Sequence, residues 1–214
     1  MDTKNSFWLK KGIHDGIPIA LGYLSVGFTL GITARHAGLT PFQATITSLF
    51  MNASAGEFAG FTMISGKAGY VEAGIMMLII NARYLLMSCA LSQKLGSSAS
   101  VLHRMLMGYD VTDELFGASI LVPGKLDPCY YYGMMLISMP GWAAGTCLGV
   151  VAGNALSEGL VSALGVGLYG MFLAVIVPPA ARERVLGVLI AVSMAASYAM
   201  SILCPIKEER ENGA

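Results

Sequence analysis

Two formal charges stand inside long apolar stretches, and they are the residues of this chain best placed to do chemistry. Glu57 lies in Asn52-Ala-Ser54-Ala-Gly56-Glu57-Phe-Ala-Gly60, and Arg83 in Asn81-Ala-Arg83-Tyr84. A charge at the centre of a bilayer costs about 2.5–3.5 kcal/mol on insertion scales, so such a group is expected to face protein and to have a partner. Ser54, Gly56 and Gly60 are weak helix formers, which predicts a break at mid-membrane depth. A broken span frees N–H and C=O groups that can hold a carboxylate, an ammonium or an ion. Two readings follow. Glu57 and Arg83 pair across two helices as a structural ion pair, or at least one of them serves substrate or coupling ion.

A second acidic group is Asp110-Val-Thr-Asp113-Glu114. These carboxylates suit an aqueous vestibule or a proton path if their segment crosses the membrane, and an ordinary solvated face if it lies on the surface. Asp15, just ahead of Pro18, reads as a helix-start carboxylate near a positive dipole end. Enzyme signatures are missing: there is no HExxH, GxSxG or Walker glycine loop. His14, His36 and His103 flank apolar segments, and Cys89, Cys129, Cys147 and Cys204 are isolated, without a CxxC. The cysteines read as small buried hydrophobes, so neither a metal nor a cofactor is expected. Trp8, Trp142 and the Tyr130–Tyr132 cluster read as anchors at the membrane interface.

The elements that must position these residues follow from composition. Only 12% of the 214 residues are charged, about half the usual share for a soluble domain, and mean hydropathy is +0.66. Disorder needs the reverse balance, and four cysteines are too few for a disulfide scaffold. Thirteen basic against thirteen acidic residues give none of the basic excess of a nucleic-acid binder. Stretches 16–34, 37–56, 128–157, 159–181 and 185–206 carry no formal charge, and about 20 helical residues cross a bilayer. The expectation is an all-α, polytopic transmembrane helix bundle in one domain over 1–214. Residues 1–15 form a cytoplasmic tail, 16–205 the membrane domain and 206–214 a polar tail, with no cleavable signal peptide.

Spans are expected at about 16–35, 42–64, 72–93, 129–152, 159–180 and 185–205. Segment 100–124 is either a polar-faced seventh span or an interfacial helix with a re-entrant piece. Seven spans are favoured, with six as the alternative. Lys4, Lys10 and Lys11 place the N-terminus in the cytoplasm, whereas Arg35, Lys94 and Arg104 fall on the wrong side of that scheme.

Gly27 to Ala37 recurs as Gly145 to Ala155 with five of eleven positions identical, which suggests a two-half internal repeat. Gly141, Gly145, Gly149 and Gly153 make a bare ridge on one helix face. With Gly27 and Gly31, they read as helix-packing positions, within the chain or in a higher oligomer.

Taken in order, Asp15-Gly-Ile-Pro18, Gly27-x-x-x-Gly31, Ser54-Ala-Gly56-Glu57-Phe58, Asn81-Ala-Arg83-Tyr84 and Thr112-Asp113-Glu114-x-Phe116 resemble the AzlC family. Pro140-Gly-Trp142 and the glycine ridge continue the likeness, which runs from about residue 12 to about residue 200. That family is the large subunit of bacterial branched-chain amino-acid exporters. The resemblance implies an inner-membrane permease that works with a small AzlD-like membrane subunit. It implies export of valine, leucine, isoleucine or methionine at the expense of the proton-motive force. Carried over by motif, the site residues are Ser54, Gly56 and Glu57, with Asn81, Arg83, Asp113 and Glu114, and Asn52 at the same turn is a further substrate or coupling candidate. Many members carry Gln where this chain has Glu57, which bears on substrate and coupling ion.

A zwitterionic amino acid needs an anion for its ammonium, a cation or helix N-terminus for its carboxylate, and an apolar pocket. Glu57, Arg83 and the neighbourhood of Phe58, Met76, Met77 and Leu78 are expected to supply them. The competing functions are a substrate-capture subunit of an importer and a non-catalytic membrane scaffold.

Overall fold

The computed structural model describes residues 3–96, 99–152, 159, 177, 180–181 and 183–203. Among them the chain is helical, with short turns and no strand. Two compact units divide it, Met1–Met171 and Phe172–Ala214. The first contains eight described helices: α1 (Thr3–His36), α2 (Pro41–Met51), α3 (Ser54–Ser65), α4 (Tyr70–Asn81), α5 (Arg83–Leu95), α6 (Val101–Tyr109), α7 (Asp113–Leu121) and α8 (Pro128–Ala152). The second contains α9 (Arg184–Leu203).

Among the described residues, only α1 and α8 are individually long and apolar enough to cross a membrane, and α4 with α5 makes a third span if their 43° bend is counted as one crossing. That is fewer than the six or seven expected. The reason is local. Segment 42–64 divides at Asn52 and Ala53 into helices of 11 and 12 residues, and 100–124 divides at Asp110–Thr112 into two of 9. None of these four reaches the ~20 residues of a continuous span. Most of 159–180 lies outside the described residues, as do Cys204 and Gly153. So does the end of the second repeat copy, which leaves the two-half arrangement without structural support.

The start of α2 has strong local causes. Thr40 and Gln43 form a reciprocal capping box ahead of Pro41. The helix ends where Asn52 takes up a left-handed conformation, φ 38°, a region that asparagine tolerates better than most residues. Thr112 caps α7 by accepting from the Leu115 N–H at 3.3 Å.

α1 and α8 are the frame. A methyl group on Gly141 would stand 2.8 Å from the Ala20 carbonyl oxygen, and ones on Gly145 and Gly149 would strike the carbonyls of Leu24 and Phe28. From the other side, Gly27 and Gly31 meet the backbone of Trp142 and Thr146. The glycines therefore let two backbones touch over several turns. Low numbers of α1 meet low numbers of α8, and high meet high, so the two helices run parallel.

The buried face of α1 is Ile19, Tyr23, Val26, Leu30 and Ala34, at helical spacing. Because α1 begins at Thr3, Asp15 lies well inside the helix and not at its start. There it accepts from Lys11 Nζ at 2.6 Å and from the Tyr130 hydroxyl of α8 at 2.9 Å.

Arg35 and Arg104, which break the charge-orientation rule, have local work. Arg35 donates to the Val150 carbonyl at 2.6 Å, and Arg104 donates to the carbonyls of Ser92 and Gly96. Late carbonyls of a helix have no partner within it and attract cations. The cysteines differ from expectation: Cys89 is exposed and Cys129 and Cys147 are half-buried, all three as free thiols.

The seam predicts its own sensitivity. Gly149→Ala should lower unfolding stability in detergent by about 1–3 kcal/mol, the usual cost of overpacking. Gly108→Ala, in α6 with nothing within 4 Å of the new methyl, should melt at or above the wild-type temperature. Equal melting of the two variants would contradict close α1–α8 contact.

Candidate functional site

Glu57 sits in the first turn of α3 and is wholly buried. Its carboxylate has two donors. Ser48 of α2 donates to Oε1, and Trp142 of α8 donates from Nε1 to Oε2 at 2.9 Å. Ser48 Oγ also lies 2.7 Å from Thr146 Oγ1, on the glycine seam. Glu57 thus joins the broken second segment to the frame helix through neutral donors.

Glu114 occupies the equivalent place on the other broken segment, in the first turn of α7. The Tyr23 hydroxyl lies 2.7 Å from Glu114 Oε2 and 2.6 Å from Thr112 Oγ1. A phenol has one proton. Given to the carboxylate, the stronger acceptor, it leaves the tyrosine oxygen free to accept from Thr112. The Tyr23 ring meets Trp142 edge to face, with centroids 5.1 Å apart and planes at 76°, a favourable arrangement for two aromatic quadrupoles. An unbroken contact path therefore runs from Glu57 through Trp142 and Tyr23 to Glu114. Both acids stand at N-terminal turns, where the helix dipole is positive.

Between the two helix starts is a cavity of about 20 Å³, room for about one water molecule. Asn52 and Ser54 line it from the α2–α3 break, and Thr112, Asp113 and Glu114 from the start of α7. Val26, Tyr84 and the two aromatic rings of the contact path line its sides. On the far side of Glu57 a larger cavity, about 630 Å³, lies among α2, α3 and α4, with Met51, Met63, Met77 and Phe61 in its walls.

Several expectations need correction. Arg83 does not meet Glu57. It pairs with Asp113 at 2.9 Å, with 46% and 32% of the two side chains exposed, and its guanidinium lies 5.1 Å from the Tyr84 ring centre. Half-exposed, this pair contributes at most about 1 kcal/mol. Phe58, Met76 and Leu78 point outward and are exposed, so of that apolar neighbourhood only Met77 lines a cavity beside Glu57. Trp142 is no interfacial anchor: it is 3% exposed and serves Glu57. Tyr130 and Tyr131 are buried as well, Tyr131 donating to the Asp110 carbonyl at 2.8 Å. The acidic group is not a solvated face, because Asp110 and Glu114 are buried.

The structure does bring Asn52, Ser54, Asp113 and Glu114 around one cavity. Gly56 and Asn81 belong to the same junction: a methyl on Gly56 would stand 3.1 Å from the Asn81 amide, so glycine lets the α4–α5 bend approach the first turn of α3. Sequence reasoning missed Tyr23, Ser48, Thr146 and the role of Trp142, and it had Thr112 only as the first residue of the acidic motif. The one available signal was Ser48, a hydroxyl in the apolar stretch that leads to Glu57.

These features define a helical membrane protein whose interrupted segments carry buried acids to one interior point. The comparisons give it a family. The AzlC protein family matches residues 18–156, a range that holds every residue of the contact path, and the chain belongs to that family. It is 30% identical over 175 residues to an uncharacterized membrane protein of Archaeoglobus fulgidus, covering 81% of this chain and 76% of that one. It is 24% identical over 181 residues to the inner membrane protein YgaZ of Escherichia coli, covering 81% and 74%. Over 159 residues it is 23% identical to the branched-chain amino acid transport protein AzlC of Bacillus subtilis, covering 72% and 62%. No solved structure matches the chain significantly.

The Glu57 network separates an acceptor from a charge. Gln at this position keeps an oxygen for Trp142 and an amide that can donate to Ser48, whereas Leu strands the Trp142 N–H in the interior and leaves Ser48 only Thr146. Each buried group without a partner costs about 1–3 kcal/mol. Glu57→Gln should therefore unfold in detergent near the wild-type temperature and Glu57→Leu well below it. Equal melting of the Leu variant and the wild type would remove the network from the account of the fold.

Proposed function

We propose that this chain is the large subunit of a secondary transporter that exports branched-chain or similar apolar amino acids across the bacterial inner membrane. The observation that carries the reading is the meeting of two half-helix N-termini, each with a buried acid, at one narrow cavity with aromatic and aliphatic sides. Interrupted helices that converge inside a membrane bundle are the usual construction of substrate sites in secondary transporters. Kinship with a protein named for branched-chain amino acid transport supports the substrate class.

Parallel α1 and α8 need an odd number of crossings between them. The broken pairs α2–α3, α4–α5 and α6–α7 supply three, which supports a seven-span reading with the lysine-rich N-terminus in the cytoplasm. An ammonium group would be received by Asp113 and Glu114. The apolar side chain would lie against Val26, Tyr84 and Trp142. A cavity of about 20 Å³ admits about one water molecule, so loading requires the ends of α3 and α7 to part. The breaks at Asn52–Ala53, at Ala82 and at Asp110–Thr112 are the places where the backbone can turn. Buried acids in the membrane interior suit uptake and release of protons, in keeping with drive by the proton-motive force. A small AzlD-like membrane subunit completes the transporter.

Efflux of labelled valine, leucine, isoleucine and methionine from preloaded cells tests this. Expression should speed loss of at least one of them, and a protonophore should abolish the gain. Glu114→Gln, present at the normal level, should slow the efflux at least tenfold. Inward, ATP-dependent movement would identify an importer subunit instead. Full activity of Glu114→Gln together with Arg83→Ala would argue for a scaffold whose charges are incidental.

A further inference from the structure

The start of α3 differs from an ordinary capped helix end. Its N-cap residue is Ala53, and no side chain caps it. The N–H groups of Ser54, Ala55 and Gly56 have no carbonyl partner within the helix, the first intrahelical bond being from Glu57 N to the Ala53 carbonyl at 2.7 Å. Beside them stands Asn52, only 8% exposed, and its amide nitrogen is buried without a hydrogen-bond partner. A buried amide donor left unmet is costly. Its left-handed backbone, φ 38°, holds the residue at the turn between α2 and α3. Asn52 and Ser54 both line the small cavity, so the residue with the unmet amide and the first residue of the uncapped helix share one side of it.

The opposite side of that cavity is acidic. Asp113 is already engaged by Arg83 and Glu114 by Tyr23, so the cavity is bipolar: donors on the α3 side, carboxylates on the α7 side. A simple anion would meet repulsion from α7, and a simple cation would meet the positive end of α3. A group carrying both charges one carbon apart satisfies both walls.

The geometry points to a carboxylate subsite formed by the Asn52 side-chain amide and the uncapped start of α3, which makes a free α-carboxylate a requirement for substrate. The inference rests on the transport reading above and adds the residue that selects an amino acid over its carboxyl-blocked analogues. Asn52 acts here as a binding residue, distinct from Glu57, which positions Trp142.

Asn52→Gly is the informative variant, because glycine accepts the left-handed backbone while the donor is lost. Inside-out vesicles from cells that carry the full chain with its native partners would be given the labelled amino acid that is carried, with its amide as competitor. Loss of a hydrogen bond to a charged group should raise KM roughly tenfold or more at an unchanged maximal rate per protein. The preference for the amino acid over its amide should fall by the same factor. Asn52→Asp, which also tolerates the left-handed backbone, puts an anion in place of the donor and should lose more; it serves equally if the glycine variant does not accumulate. Unchanged KM in these variants, or a raised KM with undiminished preference over the amide, overturns the subsite. Wild-type vesicles that move none of the amino acids overturn the transport reading itself, a separate outcome visible before any variant is made.

Discussion

A span can be interrupted inside a bilayer only if the interruption finds partners in protein, and here the partner is Trp142. Its indole N–H reaches Glu57 at 2.9 Å, so the acid in the first turn of α3 is held by a neutral donor on a continuous helix. Without that bond the buried carboxylate would keep Ser48 as its one donor, and a buried acid short of donors is costly. The rest of the site is arranged about this contact. Ser48 brings the end of α2 to the same carboxylate, and Tyr23 packs on the indole and extends the connection to Glu114.

Trp142 can do this because the frame beneath it is bare. Gly141 and Gly145 flank it on α8, opposite Ala20 and Leu24 of α1, so the indole projects from a helix whose backbone is pressed against its neighbour. Tyr23 projects from that neighbour. Close packing by small residues replaces the hydrophobic drive that is missing between helices in lipid, and it sets the two aromatic rings 5.1 Å apart. The tight element and the polar element are therefore one device. The short helices α3 and α7 are anchored to a rigid pair and need few contacts of their own.

What was legible in the sequence follows from this division. The apolar stretches gave an all-helical membrane protein, and the glycine ridge gave the packing face, since both signals are local. The break near Asn52 was legible because Ser54, Gly56 and Gly60 weaken a helix beside a charge. The pairing of acids was not. Glu57 and Arg83 are the conspicuous charges, yet Arg83 lies at an open bend and takes Asp113, the acid nearer to solvent. Trp142 is separated from Glu57 by 85 positions, and a tryptophan in a membrane helix is as often an anchor. The continuity of the spans was illegible for a related reason: hydropathy sums over a break that the backbone does not ignore, so 42–64 reads as one helix.

Glu57 itself is the place where charge and geometry can be told apart. All of its hydrogen bonds are accepted bonds, and its donors are a hydroxyl and an indole, with no cation among them. Such a setting holds the oxygen atoms and leaves the ionic charge without a counter-ion. Glutamine fits the same setting with one bond reversed. Glu114 differs, because Tyr23 holds it from one side while the Arg83–Asp113 pair stands beside it at the cavity. The acid on α3 is thus built to orient Trp142, and the acid on α7 is the one whose charge the cavity can put to use.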